Sequence, residues 1–410
     1  MRIAFVDQKL NLRSGGGSNR TIHYLATALT ELGHEISVIT LAPRLNDFPD
    51  DLPYRVIEDS SAGLDSFPGR LAAASIFRKW QDQVDIFQIE APSLIVPAGL
   101  YRRFGGRVPV VAQLHIYGHF CSSFHRMDAD CWRTCSLLKQ IRHRNERSGR
   151  KVLLAPVRLA EYWTKRLLAD RVDRFVAVST AMGEIHAKNG INPQKIVTIS
   201  PPADLDALTQ RAARTERRAT IATAPYRLLY VGRLVAEKGL DVLLRAVAGL
   251  DFPCEVEVIG DGPARADFER LTHELGLNSR VHFRGWISHD NIVECYLGSQ
   301  LFVHPGRWPD PAPRTIIEAM ALGVPLVVSA TGGAPAMAGD AALSFTPGDH
   351  NDLRAKITAL HANPALAAEL VAAGGKRVGQ FDTRHTLGQF LDIYHTLCPP
   401  TQSTIASAAA

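Results

Sequence analysis

Two successive series of short apolar, β-branched runs, separated by stretches of helical period, limit what this chain can fold into more than any other feature. The first series is RIAFVD (2–7), EISVIT (35–40), VDIFQI (84–89), VPVVAQL (108–114), RFVAVS (174–179) and KIVTIS (195–200). The rhythm restarts with YRLLYVG (226–232), EVEVIG (255–260), RVHFRG (280–285), QLFVHP (300–305) and PLVVSA (325–330). Helical patterns such as TIHYLATALTELG lie between the runs, which predicts βαβ units and parallel sheets. Two series predict two doubly wound α/β domains. A length of 410 residues is too great for one average domain, and a hydrophobic content of 46% can fill two cores.

The polar, charge-rich segment DALTQRAARTERRATIATAP (206–225) is read as the junction, with a loop and helix inside one domain as the alternative. The predicted organisation is residues 1–205, 206–385, a helix over 386–398 packing near the first domain, and a low-complexity tail over 399–410. The chain opens directly on a strand, and no apolar run approaches the ~20 residues that span a bilayer. The expected location is cytoplasmic, with peripheral contact at the inner membrane face left open. A net charge of +5, from 46 basic and 41 acidic residues, carries no nucleic-acid signature. Six cysteines in so long a chain do not make a disulfide framework.

Three places carry candidate chemistry. SGGGSNR (14–20) lies between the first strand and the first helix, where glycines let backbone approach a ligand and free helix N–H groups meet an anion. An ordinary βα loop capped by Ser18 reads equally well. Arg233 follows the first strand of the second series and Lys238 stands five residues on. Together they suit a diphosphate clamp, Arg binding two oxygens and Lys acting as a point charge. The alternative has Lys238 solvated and Arg233 paired with a carboxylate such as Glu237. In WPDPAPRTIIEAMALGVPLVV (308–328), Asp310 sits in a Pro-rich loop and Glu318 opens the apparent helix IEAMAL. A carboxylate at the C-terminal end of a strand can accept two ribose hydroxyls. Asp310 could reach sugar hydroxyls, with N–H groups around Thr315 and Ile316 over phosphates between them. Glu318 could also merely suit a first helical turn.

Taken together, GGGSNRTIHYLATALTELGHEISVIT, VGRLVAEKGLDVLLRA, VEVIGDGP, VHFRGW, the D-x7-E segment around IEAMALGVPLVVS, and TGGAP resemble the family-4 glycosyltransferases, in family order from residue 1 to about 380. The resemblance implies a GT-B fold, two Rossmann-like domains facing each other across a donor cleft. It implies retaining transfer of a hexose-type sugar from a nucleotide-diphosphate sugar, with UDP or GDP expected, to a hydroxyl of a glycan, a lipid-linked glycan or a small metabolite. No metal or other cofactor is implied as required. Arg233 and Lys238 fall at the donor diphosphate, Glu318 at the ribose, and Asp310 where the family has a Glu contacting the hexose. Gly16 and Gly17 match the loop over the phosphates, and His115 matches a side chain that faces the donor sugar. Two departures stand out: Asp310 is one methylene shorter than the usual Glu, and Ala336 takes an acidic position after the paired glycines. They fit an altered donor preference. They also fit the alternative function, a catalytically weak nucleotide-sugar-binding subunit or sensor.

After His115 comes a long insertion, about 116–151, too long for a tight turn. It holds Cys121, Cys131 and Cys135, which resemble a cysteine-containing insertion in some of these transferases; a structural zinc is the alternative to free thiols. Asp128–Ala129–Asp130 resembles the DxD of metal-dependent transferases but lies outside a nucleotide-binding strand. Basic residues from Lys139 to Lys151, followed by Trp163, read as a solvated face or as a surface attracted to anionic lipid.

Overall fold

In the computed structural model, residues 1–12, 17–42, 51–61, 67–117, 163–215, 225–288 and 291–399 are described. Each apolar series builds its own parallel sheet. The chain divides into two compact units, Met1–Pro202 with Thr383–Ala410, and Ala203–Asp382.

In the first unit the strands are β1 (Arg2–Asp7), β2 (Glu35–Thr40), β3 (Arg55–Glu58), β4 (Ile86–Ile89), β5 (Val110–Leu114), β6 (Arg174–Ala177) and β7 (Ile196–Thr198). They pair in the order β3-β2-β1-β4-β5-β6-β7. The order reverses between β1 and β4, so the crevice beyond their C-terminal ends is where an open α/β sheet takes a ligand. Strands β4 and β5 are buried throughout and β1 nearly so. Helices cover both faces, which is why these strands read as continuous apolar runs and not as alternation. The polar exceptions, Gln88 and Gln113, are buried too. Helix Gly17–Glu31 packs Ile22, Leu25 and Leu29 on this sheet. Helix Thr383–Leu397 returns from the far end of the chain to bury Leu387, Phe390, Ile393 and Tyr394 in the same cluster.

The second unit contains β8 (Tyr226–Val231), β9 (Cys254–Ile259), β10 (Val281–Gly285), β11 (Leu301–His304), β12 (Leu326–Ser329) and β13 (Ala342–Phe345), in the order β10-β9-β8-β11-β12-β13. Its reversal falls between β8 and β11. Successive strand residues feed opposite layers. Leu228, Tyr230, Leu301 and Val303 pack on helix Leu240–Ala248, while Leu229 and Phe302 pack with Ile316, Ile317 and Met320 of helix Arg314–Ala321. The Ala203 N–H donates to the Phe381 carbonyl at 2.8 Å, and Ala203 bridges Asp382. The two passages of chain that leave this unit are therefore tied side by side.

Edge strands β3 and β13 are absent from the sequence-based expectation. Each has four residues, and RVIE begins and ends on an exposed charge. Such an edge needs neither the apolar run nor the length that marks a central strand. Among the described residues no helix is long and apolar enough to cross a membrane.

Candidate active site

The reversal point of the second sheet gathers charge. Lys238 ends a 3₁₀ turn, Ala236–Lys238, directly after β8, and Gly239 follows in the left-handed region with φ of 70°. This turn is locked to the loop after β11: the N–H groups of Arg307 and Trp308 both donate to the Glu237 carbonyl, each at 3.0 Å. A Cβ on Gly239 would collide with the Pro305 carbonyl, so only glycine permits that approach. The result is an ion pair between the Lys238 ammonium and the Asp310 carboxylate, the latter side chain only 14% exposed. Burial alone would raise the Asp310 pKa, but Lys238 outweighs it, helped by the Ala312 N–H, and the group stays below the usual carboxylate range. Beside them, burial pushes the His304 imidazole down to about 4, so it is neutral at pH 7.

Arg233 stands exposed just after β8, and among the described residues its guanidinium has no partner. The alternative pairing with Glu237 does not occur. Glu318 requires a correction: the helix begins at Arg314, so Glu318 lies in its second turn and does not open it. It is 8% exposed and accepts a hydrogen bond from the buried Tyr296 hydroxyl at 2.8 Å. A carboxylate that merely suited a first turn would not be held this way. Helix Arg314–Ala321 has Pro313 at its N-cap and no capping side chain. The earliest N–H groups of a helix, including that of Thr315, have no acceptor within it. The Ile316 N–H is already given to the Pro313 carbonyl at 3.1 Å. Next to the site, the Gly333 N–H donates to the Asp310 carbonyl at 2.7 Å, and Gly332, at φ of 64°, lies against the same carbonyl. Ala336 is exposed, and its carbonyl accepts from Arg377 at 2.6 Å.

In the first unit His115 stands one residue past β5. Its Nε2 lies 2.6 Å from the Glu90 carboxylate, with the two side chains 9% and 0% exposed. The other Glu90 oxygen accepts from Gln88 Nε2 at 2.7 Å. Gln88 Nε2 also donates to Gln113 Oε1 at 3.0 Å, and the Tyr394 hydroxyl donates to Gln88 Oε1. Asp7 ends β1 beside this group. Burial, then the neighbouring Glu90 charge, raise its pKa to about 7, partly opposed by the Gln8 N–H. Gly17 is the first residue of its helix. Gly16, the Asp128–Asp130 motif and the zinc expectation for Cys121, Cys131 and Cys135 lie outside the described residues. Cys254, Cys295 and Cys398 are free thiols.

Sequence reasoning missed Gln88, Glu90, Gln113, Tyr296 and Tyr394. A signal was present for the first three. In FQIE and VVAQLH, polar residues recur at every second position inside strands that otherwise bury on both faces, and in a strand such residues share one face.

Two parallel-sheet α/β units of this topology are the arrangement of the GT-B fold. The chain aligns over 97% of its length with Anabaena HepE in complex with UDP, covering 100% of that chain at a TM-score of 0.73 and 18% identity. It aligns similarly with sucrose-phosphate synthase from Thermosynechococcus elongatus (97% and 99% covered, TM-score 0.72, 20% identity). At such identities the likeness is one of fold. Two family models tile the sequence: Glycosyltransferase Family 4 over residues 15–207 and Glycosyl transferases group 1 over residues 213–377. The chain belongs to this glycosyltransferase family. Among curated relatives it is 37% identical over 127 residues to the alpha-D-kanosaminyltransferase of Streptomyces kanamyceticus, covering 30% of this chain and 32% of that protein. It is 29% identical over 237 residues to the D-inositol 3-phosphate glycosyltransferase of Rhodococcus opacus, covering 54% and 53%. The chain thus spans only about a third to a half of the curated relatives it matches.

Proposed function

We propose that this protein is a retaining glycosyltransferase that moves a hexose-type sugar from a nucleotide-diphosphate sugar to an acceptor hydroxyl without a metal. The observation that carries the reading is the charge arrangement at the reversal of β8 and β11. There an unpartnered Arg233 and a Lys238 held on Asp310 stand in the same unit as an uncapped helix N-terminus. Departure of a nucleoside diphosphate places growing negative charge on phosphate oxygens, and fixed cations and N–H groups stabilise that charge without reorganising. Lys238 would pass from Asp310 to phosphate when donor binds, leaving Asp310 to accept a sugar hydroxyl. Glu318, aimed by Tyr296, would take the ribose hydroxyls. His115 would face a sugar hydroxyl. UDP is the favoured nucleotide, a reading supported by the neighbour solved with UDP. The acceptor hydroxyl would belong to a glycan, a lipid-linked glycan or a small metabolite.

The test is a panel of UDP-, GDP-, ADP- and TDP-sugars, scored for binding and for slow hydrolysis without acceptor, with free nucleotides as controls. Turnover of one donor is expected. Lys238→Ala and Arg233→Ala should each raise the barrier by about 3 kcal/mol, and an unchanged kcat in both would remove the clamp. Binding of a nucleotide with no sugar turned over, even with polyol acceptors, would favour a binding subunit instead.

A further inference from the structure

The group around His115 has a direction that its role as a sugar-facing residue does not by itself require. Only what the ring finally touches rests on the transferase reading. Register places the group in rows across the first sheet. Val6 pairs with Ile89 and Ile89 with Ala112, so Asp7, Glu90 and Gln113 follow side by side on β1, β4 and β5. Gln88 and His115 stand two residues before Glu90 and two after Gln113, on the same face. All five side chains are buried or nearly so, and apart from Gln113 Nε2, which has no partner, the contacts among them match donor to acceptor.

The matching has one consistent solution. The Tyr394 phenol is held fully protonated by burial and donates to Gln88 Oε1. The Glu90 carboxylate can only accept, so Gln88 turns its Nε2 toward Glu90 Oε1 and Gln113 Oε1 and leaves its own Oε1 for the Tyr394 hydroxyl. Glu90 therefore accepts on one oxygen from Gln88, and its other oxygen faces His115 Nε2. An imidazole nitrogen bearing a lone pair would repel that carboxylate oxygen, so Nε2 must carry the hydrogen.

We infer that Tyr394, Gln88 and Glu90 form a one-way hydrogen-bond relay that fixes the tautomer of His115, with Glu90 as its positioning residue, so that Nδ1 is kept as an acceptor for a hydroxyl of a bound sugar. Among the described residues no side chain hydrogen-bonds to Nδ1. Asp7, whose carboxyl is half protonated near pH 7, keeps a second full negative charge away from the cluster. The relay begins on the C-terminal helix, which gives that helix a part in orienting the site as well as in packing.

The test is 15N-histidine NMR of the full chain, with the His115 resonances assigned by their loss in His115→Gln. The wild-type ring should show a protonated Nε2 and an unprotonated Nδ1. In Glu90→Gln the amide oxygen keeps the Gln88 N–H and its NH2 group turns to His115, so the proton should move to Nδ1. Donor turnover in that variant should fall by about tenfold in kcat/KM, the size of one lost hydrogen bond to a sugar hydroxyl. Tyr394→Phe keeps the packed ring and removes only the first donor. It should give a mixture of both tautomers and a smaller loss of kcat/KM. Nδ1 protonated in the wild type would overturn the relay, and so would an unchanged tautomer in both variants. A tautomer swap in a protein that turns over no sugar nucleotide would leave the relay standing and sink the transferase reading.

Discussion

Asp310 holds Lys238, and under the proposed function it would also read a sugar. Lengthening it by one methylene should alter the second more than the first. Asp310→Glu is expected to shift the ranking of donors in a hydrolysis panel while leaving thermal unfolding within about 1 kcal/mol; an identical donor profile would remove Asp310 from sugar reading. Asp7 makes a different prediction, for pH. Its folded pKa of about 7 lies above the ordinary carboxylate value, so the folded state binds the extra proton and its stabilising share is lost as pH rises through 7. His186, in the same unit, has the opposite sign. Burial lowers it to about 4, so stability is lost as pH falls below 6.5 towards that value. Between pH 4 and 6.5 the two oppose each other. Asp7→Asn keeps an acceptor for the Gln8 N–H and removes the falling limb, so stability should rise more steeply from pH 4 to 7, by on the order of 1–3 kcal/mol. Denaturant titrations at several pH values would show this, and parallel curves for wild type and variant would refute it. Lys238, Asp310 and Glu318 can be picked out of the sequence because motif and spacing mark them. Their partners cannot. Tyr296 and Glu318 sit 22 residues apart and Tyr394 and Gln88 306 apart, and only the completed sheets bring each pair together.

Central strands were legible for a reason that the edge strands β3 and β13 lack. A strand covered on both faces is apolar at most positions, as residues 3–6 and 326–328 are, whereas RVIE and ALSF pair on one side only and carry half-exposed residues. The start of helix Arg314–Ala321 was hidden by its Pro-rich approach and the lack of a capping side chain, so the sequence pattern placed it four residues late, at Glu318. Loops between elements depend on glycine in a way that can be divided into conformation and space. Gly332 and Gly348 both have positive φ, 64° and 82°, but a Cβ on Gly332 would strike the Asp310 backbone, and one on Gly348 would meet nothing within 4 Å. Gly348→Ala should therefore cost only the left-handed conformation, about 1–2 kcal/mol. Gly332→Ala should cost that plus displacement of the loop bearing Asp310, about 3–4 kcal/mol in all, and should weaken donor binding. Equal losses in the two variants, measured by chemical denaturation, would show that the contact is not what makes Gly332 necessary.

A chain that leaves one unit at Pro202 and re-enters it at Thr383 ties the stability of its first residues to its last helix. Helix Thr383–Leu397 contributes Leu387, Phe390, Ile393 and Tyr394 to the cluster that contains Ile3, Phe5, Leu25 and Ile86. Each such side chain is worth about 1.5–3 kcal/mol when fully buried. Four of them sum to on the order of 6–12 kcal/mol, comparable with the whole stability of a typical domain at about 5–15 kcal/mol. The second unit has no share in that cluster and keeps its own two layers on β8–β13. Truncation after Asp382 should thus unfold the first unit and spare the second, although the cut is closer in sequence to the second. Hydrogen exchange would read this directly: amides of β1, β2 and β4 should lose protection while those of β8, β9 and β11 retain it. Retained protection in β1 and β4 would mean that the seven-stranded sheet holds without its returning helix. Loss across all of these strands would mean that the two units fold as one cooperative body.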